Sequence, residues 1–220
     1  MNVRRMTCLL ISVTMVFLVG CAVPKSKYRS ASFDPQKIDR IVVLPFIDNR
    51  EKPDPKNDWD EVCVSAETML FSGLKFGKGY RVVASSDIGS ISRYSVADLP
   101  RPDSQSKDTD SVDPSSVDSS WVKELGPDTD RWILVPVIDN LTFQNIIIRV
   151  EAKAKMSMYL FDKETGELLW KGVGGGVMSA GIVPVAMMGR STMEESALQF
   201  ACNQSVGGFD KKTTPNVLPE

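Results

Sequence analysis

Residues 146–173 read IIIRVEAKAKMSMYLFDKETGELLWKGV. Val150, Ala152, Ala154, Met156, Met158 and Leu160 alternate with polar residues as far as Tyr159. A period of two describes a long strand with one buried face and one wet face. Residues 162–167, DKETGE, supply a turn with glycine in place, and residues 168–173 return as the second arm of a hairpin. Two other stretches have a different texture. Residues 40–47, RIVVLPFI, and 131–138, RWILVPVI, are continuous apolar runs, the pattern of strands covered on both faces. Residues 80–84 form a shorter strand of the same kind. Asp58 with Glu61 has capping-box spacing, and Val62, Ala66, Met69, Leu70 and Leu74 then recur at helical intervals until Gly77 and Gly79. Residues 119–125 fit a short helix. Ser191 with Glu194 marks a second capping box, and Ala197, Leu198, Ala201 and Cys202 line one face of the helix behind it. The order is strand-helix-strand, helix-strand, long hairpin, helix. It predicts a single α/β domain over residues 38–206, a mixed sheet with a long antiparallel hairpin and helices packed on it.

Composition excludes several functions. Histidine is absent from the 220 residues, which removes Ser-His-Asp and Cys-His catalysis and the usual transition-metal ligand. Lys and Arg total 26 against 28 Asp and Glu, a net charge of -2, so no basic excess attracts nucleic acid. The amino terminus carries the clearest address. Arg4 and Arg5 precede residues 6–20, MTCLLISVTMVFLVG, which hold no charge. That run is shorter than the roughly 20 residues of a spanning helix and fits a signal peptide over 1–20. Residues 18–21, LVGC, resemble the lipobox of bacterial lipoproteins. The resemblance implies cleavage before Cys21, diacylation of its thiol and acylation of its new amino group. In that family an aspartate after the cysteine favours inner-membrane retention. Ala22 stands here, so the expected place is the outer membrane, with the domain facing the periplasm. Residues 21–37, polar with two prolines after Cys21, read as a tether, and 207–220 as a frayed tail.

The domain also carries a resemblance. Residues 40–46, RIVVLPF, and 159–172, YLFDKETGELLWKG, resemble the first strand and late hairpin of a group of envelope proteins. The group comprises the curli-secretion lipoprotein, the penicillin-binding-protein activator lipoprotein and the amino-terminal domain of the Tol-Pal translocation protein. The likeness covers roughly residues 38–206. Its motifs are structural, so it implies a fold and an envelope setting and names no catalytic residue.

Candidate sites are few. Residues 101–120 hold seven Ser and five Asp; 101–118 reads as a mobile loop, and Asp108, Asp110 and Asp113 lack the glycine and closing glutamate of a calcium loop. Residues 172–176, GVGGG, lack the helix start that a phosphate loop requires and read as a glycine-rich strand end or bulge. The uncharged stretch 177–189, VMSAGIVPVAMMG, is either a partner, oligomer or membrane contact or a buried connection. Cys63 and Cys202 remain once Cys8 leaves with the signal and Cys21 takes lipid; they are either bridged or two buried free thiols. An internal echo completes the set. VLPFIDN at 43–49 and LVPVIDN at 134–140 share Pro, Ile, Asp and Asn at the same offsets. If the two strands are parallel neighbours, Asp48, Asn49, Asp139 and Asn140 gather at one rim, able to grip a partner's backbone or a cation; the plainer account is turn chemistry. Pro45 and Pro136 should each lie at a bulge or an unpaired position. No metal, cofactor or nucleophile with an activator is expected. The function expected is a non-enzymatic outer-membrane lipoprotein that binds another envelope protein. The alternatives are a subunit of an oligomeric secretion complex and a carboxylate-dependent envelope enzyme.

Overall fold

The computed structural model describes residues 25–51, 53–56, 58–85, 119–125, 131–146, 149–181, 189–207 and 209. The signal, Cys21, the 101–118 loop, 182–188 and 210–220 lie outside the described residues. Seven strands form one sheet: β1 (Lys25–Arg29), β2 (Arg40–Val43), β3 (Ile47–Asp48), β4 (Arg81–Ala84), β5 (Trp132–Ile146), β6 (Arg149–Asp162) and β7 (Glu167–Gly181). Their order is β1-β7-β6-β5-β2-β4, with β3 also beside β5. β2 runs parallel to β4 and β5, β3 runs parallel to β5, and the other pairs are antiparallel. Two α-helices, α1 (Trp59–Ser72) and α2 (Arg190–Ser205), pack on one face. The expected α/β domain with a mixed sheet is the observed one.

The two textures of strand follow from what covers them. Ile41, Val43, Leu134, Ile138, Met156, Met158 and Leu160 face the helices, with Ala66 and Leu70 of α1 and Ala197, Leu198, Ala201 and Cys202 of α2. Val42, Leu44, Ile133, Val135, Val137, Tyr159 and Phe161 fill the opposite face, closed by Val122 and Leu125 at the 3-10 helix Ser120–Glu124. Strands buried on both faces have no polar side to show. Beyond Ile138 the sheet continues as an arm of β5, β6 and β7, paired as far as Ile146 opposite Arg149 and Arg149 opposite Gly181. There β6 alternates, with Lys153 and Lys155 half-buried against fully buried Ala152 and Ala154. Gly166, at φ 73°, closes the turn between β6 and β7 in a backbone region that side chains rarely adopt.

Four expectations are corrected. The tether is folded from Lys25: β1 pairs with Trp170–Val173 of β7, Ser30 and Ser32 hydrogen-bond Glu167, and Phe33 is buried against the ring of Phe209. A polar edge strand has no apolar period to announce it. The tail holds to Phe209, whose ring meets Phe33, Tyr80 and Trp170 with centroids 5.5, 5.0 and 5.0 Å away. The glycine run is neither a strand end nor a bulge; it lies mid-way along β7, directly under α2. A Cβ on Gly172, Gly174 or Gly176 would overlap the backbone carbonyl of Ser205, Ala201 or Ala197 respectively. Two strand residues rise about 6.7 Å and four helix residues about 6.0 Å, so alternate glycines match a stripe of small residues one turn apart. Finally, α2 begins at Arg190 behind Gly189, not at Ser191, and Glu194 binds Arg190 rather than closing a capping box. Asp58 does cap α1, accepting from the amide of Asp60.

Candidate functional site at the strand-end rim

The echo strands are parallel neighbours. Val43 pairs with Leu134, and Ile47 with Val137, so four residues advance on one strand against three on the other. The extra residue falls at Leu44-Pro45-Phe46, in the gap between β2 and β3. Pro45 therefore sits where the ladder is interrupted, as expected. Pro136 stands in a central strand opposite Met158. Leu134 O accepts from Leu44 N at 2.9 Å and Ile138 O from Asn49 N at 3.0 Å, so the residue between them also turns its nitrogen to the β2–β3 side. The missing donor of Pro136 thus falls beside that interruption.

Past it the chain reaches the rim. Asp139 is the unpaired residue of a bulge, since Ile138 pairs with Met156 and Asn140 with Lys155. A bulge bends the strand and re-aims its side chains. The Asp139 carboxylate accepts from Ser157 Oγ at 2.5 Å and from Asn49 Nδ2 at 3.2 Å. Burial pushes its pKa up, while the hydrogen bonds from Ser157 and Asn49 and the charges of Lys155 and Lys171 pull it partly back. Asp48 turns to the helix side. Its carboxylate takes two bonds from Arg50, 2.8 and 2.9 Å long, and the Arg50 guanidinium lies 4.9 Å above the Trp59 ring at the start of α1. The four residues of the echo do share one rim, but as two clusters: Asp48 with Arg50, and Asn49 with Asp139 and Ser157. Asn140, half-buried, follows Asp139 at the bulge.

The rim continues into a cleft of about 340 Å³ between the first turns of α1 and α2. Lys56, Asp58, Glu61, Arg190, Glu194 and Glu195 line it, four carboxylates against two cations. Arg190 ties the cleft together, reaching Asp54 at 2.7 Å, Glu194 at 2.9 Å and the ring of Phe143 at 5.0 Å. Burial works against its charge, yet the bonds to Glu194 and Asp54 hold its pKa above the ordinary value. The amide of Lys56 and then Arg190 lower that of Asp54. Sequence reading missed this cleft because its lining comes from two helices 130 positions apart in the chain. The local signs were Asp60 and Glu61 in the first turn of α1 and the Glu194-Glu195 pair after the first turn of α2. Cys63 and Cys202 are free thiols, Cys202 buried as the second alternative has it but Cys63 only half-buried; burial pushes both up to about 12.

Asp139 gives a test of the rim. Asp139→Ala strands the fully buried Ser157 hydroxyl and is expected to cost about 1–3 kcal/mol. Asp139→Asn keeps an acceptor for Asn49 and offers Ser157 a donor, so the fold should survive. The sign of its pH effect follows from the raised pKa. Asp139 contributes stability below the ordinary carboxylate value of 3.8, and loses it as pH rises through the higher folded value. Relative to the parent chain, Asp139→Asn should gain stability as pH rises from about 4 towards neutral. Denaturant melts of both chains across that range check it.

No protein-family model matches the chain, and no curated protein matches it. Among solved structures it is similar to the PelC dodecamer from Paraburkholderia phytofirmans, at 12% identity and a TM-score of 0.46 over 87% of this chain and 98% of that one. The lipoprotein GNA1162 from Neisseria meningitidis matches at 16% identity and 0.41, over 66% and 85%. The hypothetical protein CT253 from Chlamydia trachomatis matches at 11% and 0.39, over 78% and 93%.

Proposed function

We propose that the chain is an outer-membrane lipoprotein, acylated at Cys21, whose periplasmic α/β domain binds another envelope protein and performs no catalysis. The observation that carries the reading is the junction of anchor and fold. Cys21 closes an uncharged run behind two arginines, and after three intervening residues the chain enters the sheet at Lys25. A domain joined that closely to several acyl chains works at a membrane surface. The rim supports binding over chemistry. Asp48 and Asp54 are each engaged by Arg50 or Arg190, and a carboxylate fixed in such an ion pair is poorly placed to shuttle protons. The cleft's excess of carboxylates suits a basic segment of a partner.

The test uses Glu61→Lys with Glu195→Lys, both exposed and both lining the cleft. Cross-linking in intact cells, then capture from membranes, should enrich an envelope protein with the parent chain and recover several-fold less with the variant. Equal recovery would remove the cleft from the contact. No protein enriched over a lipidated control domain would contradict the binding reading. Oligomerisation has one observation behind it. The outer edge of β7 from Gly174 to Gly181 has no partner strand among the described residues, and an uncharged open edge can pair with another chain.

A further inference from the structure

The cleft between α1 and α2 has a floor and a lip of different character. Leu141 and Leu198, both buried, line it with half-buried Val62. Leu141 belongs to β5, in the sheet on which the helices pack, so the apolar lining lies deepest and the charges stand above it. Those charges are not equally committed. Arg190 is matched by Glu194 and Asp54, and Asp58 accepts the amide of Asp60 at the start of α1. Glu61, in the first turn of α1, and Glu195, in the second turn of α2, are exposed, and their carboxylates make no ion pair or hydrogen bond among the described residues. Two uncompensated carboxylates over an apolar floor suit an amphipathic cation, one with an apolar stem and a charged head. At about 340 Å³ the cleft lies at the lower end of the range of ligand sites, about 300–1,000 Å³, and takes one long side chain rather than a whole helix or strand.

We infer that the cleft is a pocket for one arginine side chain of the partner, its methylene stem on Leu141, Val62 and Leu198 and its guanidinium between Glu61 and Glu195. The inference rests on the protein-binding reading and gives that contact a chemistry. Arginine fits better than lysine because the two carboxylates come from different helices. A planar fork with several N–H groups serves both, whereas an ammonium is a compact, strongly hydrated point charge. The cleft already holds one arginine in this way: Arg190 meets Asp54 at 2.7 Å and Glu194 at 2.9 Å, with its guanidinium 5.0 Å from the Phe143 ring. A hard divalent ion wants about six to eight oxygen ligands and gains nothing from leucine, and no metal-holding cluster occurs among the described residues.

The experiment uses the full chain purified from membranes in detergent micelles, with isotope-labelled methyl groups on Leu and Val. It is titrated with N-acetyl-arginine methylamide, with the lysine counterpart, and with the citrulline counterpart, which keeps the stem and loses the charge. The arginine probe should shift the methyl signals of Val62, Leu141 and Leu198 and bind at least about fivefold more tightly than either counterpart. Glu61→Gln with Glu195→Gln keeps size and removes charge, and should weaken arginine binding by at least about fivefold. No shift of those methyl signals, equal binding of citrulline, or an unweakened variant would overturn the pocket; if the parent chain still captures an envelope protein from cells, the binding reading stands without it. Lysine binding as tightly as arginine would overturn the assignment to arginine. If the parent chain captures no envelope protein at all, the binding reading falls and the arginine of a partner falls with it.

Discussion

Gly174→Ala is expected to destabilise the domain by more than about 3 kcal/mol, or to prevent folding altogether. The added methyl group would coincide with the backbone carbonyl of Ala201, with the amide of Ser205 2.6 Å away. Neither is the end of a flexible side chain, so either α2 or β7 has to move. Moving α2 opens the packing of Met193, Ala197, Leu198, Ala201 and Cys202, all of them buried. The neighbouring residue supplies the control. A Cβ on Gly175 meets nothing nearer than Ala154 O at 4.0 Å, so Gly175→Ala should stay within about 1 kcal/mol of the parent. Urea titration of the pair separates contact with the helix from any general effect of glycine in a strand. Equal stability for the two variants would mean that α2 does not rest on the glycines.

Cys21→Ala is expected to abolish membrane anchoring through lipid and to leave the precursor uncleaved. Each buried methylene of an acyl chain contributes about 0.8 kcal/mol, so losing several chains changes partitioning by many orders of magnitude. Density-gradient fractionation should move the protein out of the membrane fraction. An unchanged distribution, with a mature chain of unchanged mass, would show that Cys21 is not the anchor.

The parts of the fold legible in the sequence are those where burial imposes a period. Alternation at Val150–Leu160 marked β6, and unbroken apolar runs marked β2 and β5, because the first has one wet face in its arm and the others have none. The echo placed Asp48, Asn49, Asp139 and Asn140 at one rim, which follows from parallel pairing alone. Its split into two clusters was not legible, since it depends on a single-residue bulge at Asp139. β1 was hidden because an edge strand pairs by backbone, and KSKYR shows no apolar face. The length of β7 was hidden for a different reason. Its glycines look like a strand breaking up, yet each alternate one is required by a helix 21–33 positions further along the chain. Glycine needed for close approach and glycine that ends a strand look alike until the partner element is placed.

Lipidation is read from the mass of the amino-terminal peptide of protein purified out of membranes. The expected peptide begins at Cys21 and carries the mass of a diacylated thiol and an acylated amino group. A mature amino terminus at any other residue, or an unmodified Cys21, would contradict it.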